Sequence, residues 1–193
     1  MGIEYELKFR ATPQILEQIR KAVPGQEQKI SMETTYYDTR ENSLSGRKYT
    51  LRRRMENEQS VCTLKTPAGN LGRRELEILC DSIDTALPEL CKLSGIADLA
   101  AITAQGVIPV CGARFTRIAK TLVLEGCTVE LALDQGVLTG GGREIPLCEV
   151  EVELKEGSRE AAAAYAGALV VRFGLKAEHS SKFRRAQKLA RGE

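Results

Sequence analysis

Acidic and basic side chains recur in this chain at every second position, in runs too regular to ignore. Glu4, Glu6 and Lys8 alternate with Ile3, Tyr5, Leu7 and Phe9. Lys48, Thr50, Arg52 and Arg54 alternate with Tyr49, Leu51 and Met55, with Arg53 out of step. Arg73, Glu75 and Glu77 stand against Leu76 and Ile78; Thr128, Glu130, Ala132 and Asp134 against Val129, Leu131 and Leu133; Glu149, Glu151 and Glu153 against Val150, Val152 and Leu154. On a β-strand, residues two apart share a face. An ordinary solvated sheet face mixes Ser, Thr, Gln and Asn with its charges, whereas these faces are mostly Glu and Arg. Like charges repeated on one face repel one another and need compensation.

The two signs suit two partners. The clustered acids Glu4, Glu6, Glu149, Glu151 and Glu153, with no His or Cys among them, suit a hard divalent cation such as Mg²⁺ or Mn²⁺. The bases Arg52, Arg54, Lys65, Arg73, Arg117 and Lys182 suit phosphate oxygens, which a guanidinium grips bidentately. A site that needs both holds a metal-bound polyanion, and phosphoryl transfer is the chemistry that pairs them.

Composition excludes several other chemistries. The 193 residues carry 28 Lys and Arg against 26 Asp and Glu, so the net charge of +2 lacks the basic excess of a general nucleic-acid or membrane-surface binder. The one histidine, His179, gives a zinc site or a Ser-His-Asp apparatus only one anchor; it reads as a polar loop residue. Six cysteines without a C-x-x-C pair read as small buried residues, and the absence of Trp disfavours a base-stacking platform. No apolar run approaches the roughly 20 residues of a spanning helix, and the charged start lacks a signal-peptide stretch. A cytoplasmic location is the default expectation.

The elements that must position these charges follow from turn and cap signals. Strands are predicted at 3–10, 32–38, 47–56, 59–66, 72–80, 112–124, 127–135 and 146–155. Helices are predicted from Thr12-Pro13 to Val23, from Ser82 to Gly95, from Ile96 to Gln105, from Ser158 to Phe173, and over 181–191. Sequential strands imply antiparallel pairing with helices outside the sheet, in a single domain over 1–193. For the charged faces to converge, the sheet must curl into a closed or nearly closed barrel. Burying that many ions dry would cost several kcal/mol each, so the interior is expected to be a wet tunnel.

Glu4-Tyr5-Glu6-Leu7-Lys8 resembles the E-x-E-x-K signature that opens the CYTH, or triphosphate tunnel metalloenzyme, family. Further matches follow in order: Tyr36-Tyr37-Asp38-Thr39, Leu51-Arg52-Arg53-Arg54, Thr63-Leu64-Lys65, Arg73 to Glu77, Glu130 with Leu133-Asp134-x-Gly136, Glu149-Val150-Glu151 and Ser181-Lys182. The resemblance implies an α+β fold, an eight-stranded antiparallel closed β-barrel with flanking helices. It implies Mg²⁺ or Mn²⁺ on Glu4, Glu6, Glu149 and Glu151, with Glu153, Glu75, Glu77 and Asp134 as further candidates. Lys8, Arg52, Arg54, Lys65, Arg73, Arg117 and Lys182 would bind phosphate, and Lys8 with Tyr36 would handle a proton near the attacked phosphorus. Arg114 competes with Arg117, and Arg74 with Arg73, for one inward position each.

The implied activity is metal-dependent hydrolysis of inorganic triphosphate to pyrophosphate and phosphate. Alternatives are a class IV-type adenylyl cyclase, a thiamine triphosphatase, RNA 5′-triphosphate processing, or a polyphosphate-binding module without turnover. The expected partner is a small phosphorylated substrate, with no nucleic acid and no membrane; a homodimer is permitted.

Overall fold

A computed structural model describes residues 2–69 and 72–193, with the side chains of residues 2 and 3 left aside. The elements run β1 (Gly2–Glu4), β2 (Glu6–Arg10), α1 (Pro13–Ala22), β3 (Gln28–Asp38), α2 (Ser43–Gly46), β4 (Thr50–Glu56), β5 (Gln59–Pro67) and β6 (Arg73–Leu79). They continue α3 (Ile83–Ser94), α4 (Leu99–Ile102), β7 (Ile108–Leu124), β8 (Cys127–Gly140), β9 (Arg143–Gly157), α5 (Arg159–Phe173), β10 (Lys176–Ala177) and α6 (Lys182–Arg191). The helices begin where cap chemistry places them. Thr12, Ser82, Ser158 and Ser181 each accept a backbone N–H of the first turn. Gly95 and Gly174 end theirs in the left-handed conformation.

The fold is α+β, with every strand pairing antiparallel, but the expected closed eight-stranded barrel is corrected. The sheet has ten strands in the order β1-β6-β5-β4-β3-β7-β8-β9-β2-β10 and does not close into a continuous ladder. The cause lies in the first run of chain, expected as one strand over 3–10. It breaks at Tyr5: Glu6–Arg10 pairs with Glu149–Glu153 of β9, while Gly2–Glu4 pairs with Arg73–Glu75 of β6. One stretch of chain thus reaches both flanks of the curled sheet without bonding to both along its length. The two-residue β10 then takes part of the free edge of β2.

The apolar faces carry the outer helices. Leu16 and Ile19 of α1 and Ala162, Ala166 and Leu169 of α5 pack on Val129, Leu131, Val150 and Val152. Ile83, Ala86 and Leu90 of α3 pack with Leu99 on Leu51, Cys62, Leu64 and Leu76. The short helix α2 has no sequence periodicity behind it. It is tied by the buried carboxylate of Asp38, which accepts the backbone N–H groups of Thr39, Leu44 and Ser45.

The last helix behaves differently. Ala186 of α6 packs with Met32, Phe115, Leu138 and Leu147, which lie on the same strand faces as Tyr36, Arg117, Asp134 and Glu149. So α6 sits against the charged side of the sheet, at an end where that face turns apolar. Its approach is close enough that a Cβ on Gly140 would lie 2.5 Å from the Ala186 carbonyl oxygen.

Gly136 is needed for a similar reason: a Cβ there would meet the Arg114 carbonyl oxygen at 2.1 Å. Gly136→Ala is therefore expected to cost roughly 1–3 kcal/mol of folding free energy by overpacking. Gly46→Ala, with nothing within 4 Å of its Cβ, should stay within about 0.5 kcal/mol of the parent. Denaturant melts of both variants check the contrast, and equal costs would contradict it.

Candidate functional site

The charged strand faces line a cavity of about 290 Å³. Among the described residues its acids are Glu4, Glu6, Glu56, Glu75, Glu77, Glu130, Glu151 and Glu153. Its bases are Lys8, Arg52, Arg54, Lys65, Arg73, Arg117, Lys155 and Lys182. Equal numbers of the two signs make the lining neutral as a whole, so a neutral occupant fits best: a polyanion together with its cations.

The acids and bases interleave in space. Lys65 Nζ lies 2.8 Å from Glu4 and 3.1 Å from Glu75. Arg52 lies 3.1 Å from Glu75 and 3.5 Å from Glu77, and Lys8 lies 3.1 Å from Glu6. Arg54 meets Glu56 at 3.1 Å, and Lys155 meets Glu153 at 2.9 Å. Arg117 grips Asp134 bidentately, both bonds 2.8 Å, and also bonds Glu151. Lys182 Nζ lies 2.5 Å from Glu149, 2.5 Å from Glu151 and 2.9 Å from Asp134.

Two competitions between neighbouring arginines are resolved by position. Arg117 lines the cavity, whereas Arg114 pairs with Glu144 on the exposed side. Arg73 lines it and donates to Thr50 and to the Lys48 and Lys65 carbonyls, whereas Arg74 reaches the Ser94 carbonyl at the end of α3. Lys48 itself falls outside β4, at positive φ. Tyr36 is buried in the wall with its ring 5.1 Å from Phe183 of α6, and burial raises its hydroxyl pKa. His179 is exposed in the loop before α6. Glu149 and Asp134 are not in the lining: both are fully buried, behind Glu151 and Lys182.

Sequence periodicity could have found Glu56 and Lys155, which continue the alternating runs of Arg52 and Glu153, and Glu130, which lies in one. Arg185 and Glu178, next to Glu149, belong to a helix and a loop and carry no strand signal.

Two observations bear on what the cavity can hold. The buried Nε–H donors of Arg52, Arg54 and Arg73 have no acceptor among the described residues. They suit an anion with several oxygens. The second concerns the acids. Burial, with Glu151 and Glu4 nearby, raises the Glu6 carboxyl to about 7 against the opposing Lys8 and Lys65. Burial likewise raises Glu153. Burial would raise Glu151 too, but Lys182 and Arg117 hold it well below the usual carboxylate range. Asp134, Glu149 and Glu151 can each bring an oxygen within 4.8 Å of the others. Those three are already paired with Arg117, Lys182 and Arg185, whereas the cavity-facing Glu4, Glu6, Glu151 and Glu153 form an all-carboxylate donor set that fits a hard divalent cation.

The chain belongs to the CYTH domain family, whose model matches residues 2–186. It is 29% identical over 163 residues to an inorganic triphosphatase of Haemophilus influenzae, covering 80% of this chain. The chain spans about half of that curated relative, 46% of its length. Among solved structures it is similar to a Hippeastrum protein described as a candidate adenylyl cyclase with a dominant triphosphatase activity (TM-score 0.68, 20% identity, 98% of this chain and 95% of that one). It is also similar to a Pyrococcus horikoshii OT3 protein (TM-score 0.63, 22% identity, 98% and 99% covered). These two likenesses show the fold. Among the described residues, no helix is long and apolar enough to cross a membrane.

The raised Glu6 pKa sets a pH prediction for the metal-free protein. Between 4.5 and about 7 the folded chain holds more protons on Glu6 than the unfolded chain, so its contribution to stability falls as pH rises through that window. Glu6→Gln should match the parent near pH 4 and be more stable at pH 8, by on the order of 2–3 kcal/mol. Chemical denaturation at the two pH values measures this; an equal difference at both would mean burial does not hold the proton on Glu6.

Proposed function

We propose that this protein hydrolyses inorganic triphosphate to pyrophosphate and phosphate in its cavity, with Mg²⁺ or Mn²⁺, and that residues 1–193 act as one catalytic domain. In this reaction water's oxygen bonds to a terminal phosphorus, the bridging P–O bond breaks, and the leaving pyrophosphate takes the electron pair. The observation that carries the reading is one cavity lined by eight carboxylates and eight guanidinium or ammonium groups among the described residues. The Haemophilus relative's name supports the substrate.

Arg52, Arg54, Lys65, Arg73, Arg117 and Lys182 bind the phosphates from several strands at once, fixing the chain of phosphorus atoms relative to the acids. The guanidinium groups face the equatorial oxygens, where charge spreads as the bond breaks. Glu4, Glu6, Glu151 and Glu153, which face the cavity, would hold the divalent cation, with Glu75 and Glu77 next to them. A bound cation supplies charge screening and polarisation of a phosphoryl oxygen. Lys8, 3.1 Å from Glu6 and with its own pKa raised by Glu6 and Glu151 against its burial, would carry a proton beside those acids. Tyr36 stays protonated in its buried place and donates a hydrogen bond.

The apolar lining residues Met32 and Phe115 are buried against α6 and leave the charged region to the substrate. That favours a small inorganic anion over one bearing a base or a thiazolium. Phosphate release from tripolyphosphate, ATP and thiamine triphosphate, assayed together with either metal, tests the choice. A preference for an organic triphosphate defeats it. Glu4→Gln and Glu6→Gln should each lower metal-dependent kcat by about a hundredfold or more. Arg52→Ala should mainly raise KM, by about tenfold, because it removes a phosphate contact. Full activity in both Glu variants would remove the metal assignment.

A further inference from the structure

Behind the cavity wall lies a second ionic layer, whose Glu149, Glu178 and Arg185 are outside the cavity lining. Glu178, buried in the loop before α6, accepts Arg10 Nε at 2.6 Å and the Ser180 N–H at 2.8 Å. Its own N–H donates to the Lys8 carbonyl at 2.8 Å. Arg185 spans from Glu178, 3.7 Å away, to the fully buried Glu149, which it hydrogen-bonds. Glu149 in turn holds Lys182 at 2.5 Å. Lys182 and Arg185 are three residues apart on α6 and so project from one side of it.

We propose that Arg185, braced by Glu178, is a positioning residue that shares the charge of Glu149 with Lys182 and so keeps Lys182 from being drawn off the cavity. This rests on the reading that Lys182 binds phosphate there. The charge count carries the inference. Asp134, Glu149 and Glu151 are balanced by Lys182, Arg117 and Arg185, with Glu178 balanced by Arg10. A buried carboxylate left without its cation is strongly destabilising. Without Arg185, Lys182 becomes the one remaining cation against Glu149 among the described residues. It is then drawn away from Glu151 and the cavity. A residue that merely filled space or fastened α6 would behave otherwise, because deleting the Glu149 charge could not repair its loss.

The test is a charge-balance cycle on the full chain: R185Q, E149Q, R185Q/E149Q and R185K, assayed with inorganic tripolyphosphate and melted without ligand. R185Q should raise KM about tenfold with kcat within about threefold of the parent, and R185K should stay close to the parent. R185Q should also lower the ligand-free melting temperature by about 5 °C or more. The double variant should recover KM to within about threefold and regain most of the lost melting temperature. A double variant as impaired as R185Q in both readouts overturns the inference. Should R185Q fail to fold, a folded double variant supports the inference and an unfolded one overturns it. Should the parent release no phosphate from tripolyphosphate, the proposed function falls, while the ligand-free melts still decide the role of Arg185.

Discussion

Charge compensation across a curled sheet is the constraint on which the rest of this protein depends. Like charges two residues apart along a strand repel, and the pairs within a strand, Lys8–Glu6, Arg54–Glu56 and Lys155–Glu153, neutralise only part of each face. Neutrality comes from neighbours: Lys65 of β5 between Glu4 and Glu75, Arg117 of β7 against Asp134 of β8 and Glu151 of β9. These cross-strand pairs tie neighbouring strands together through their side chains as well as through the hydrogen-bond ladder. The same lattice brings acids and bases of both signs to one cavity, so the side chains that stabilise the folded sheet are also those that line its cavity.

The break at Tyr5 and the placement of α6 share one physical origin. A strand at the seam of a curled sheet has two partners and cannot satisfy both along its whole length, so the chain gives Glu4 to the β6 side and Glu6 to the β9 side. At one end, where the inner face changes from charged to apolar, the surface formed by Met32, Phe115, Leu138 and Leu147 has to be covered. The final helix covers it and, in doing so, carries Lys182 and Arg185 inward on its first turns. Packing thus delivers two cations to a site that lies mostly on strands.

Much of the fold was legible because its periods are strong. Caps at Thr12, Ser82, Ser158 and Ser181 mark helix starts through local hydrogen bonds. The alternation of Glu149 to Glu153 and of Arg52 to Arg54 marks which side chains share a face. Boundaries read less well. β3, β7, β8 and β9 run beyond the expected ends, and the segment expected over 96–105 is helical only at Leu99–Ile102. Their extra residues are fixed by pairing with distant strands. The helix α2 was invisible because Asp38, which organises it, looks in sequence like the end of a strand.

By itself, the sequence determined that acids and bases alternate on strands and that the two signs are matched in number, and it raised the expectation of a site for a metal-bound polyanion. These follow from residue type and a two-residue period, which are properties of the chain alone. Only the tertiary structure decided that Arg117 and Arg73 turn inward while Arg114 and Arg74 turn out, and that Asp134 and Glu149 lie behind the wall. It also decided that Arg185 and Glu178 join them there. Those outcomes depend on register between strands far apart in sequence and on the seating of one helix, neither of which any local pattern encodes.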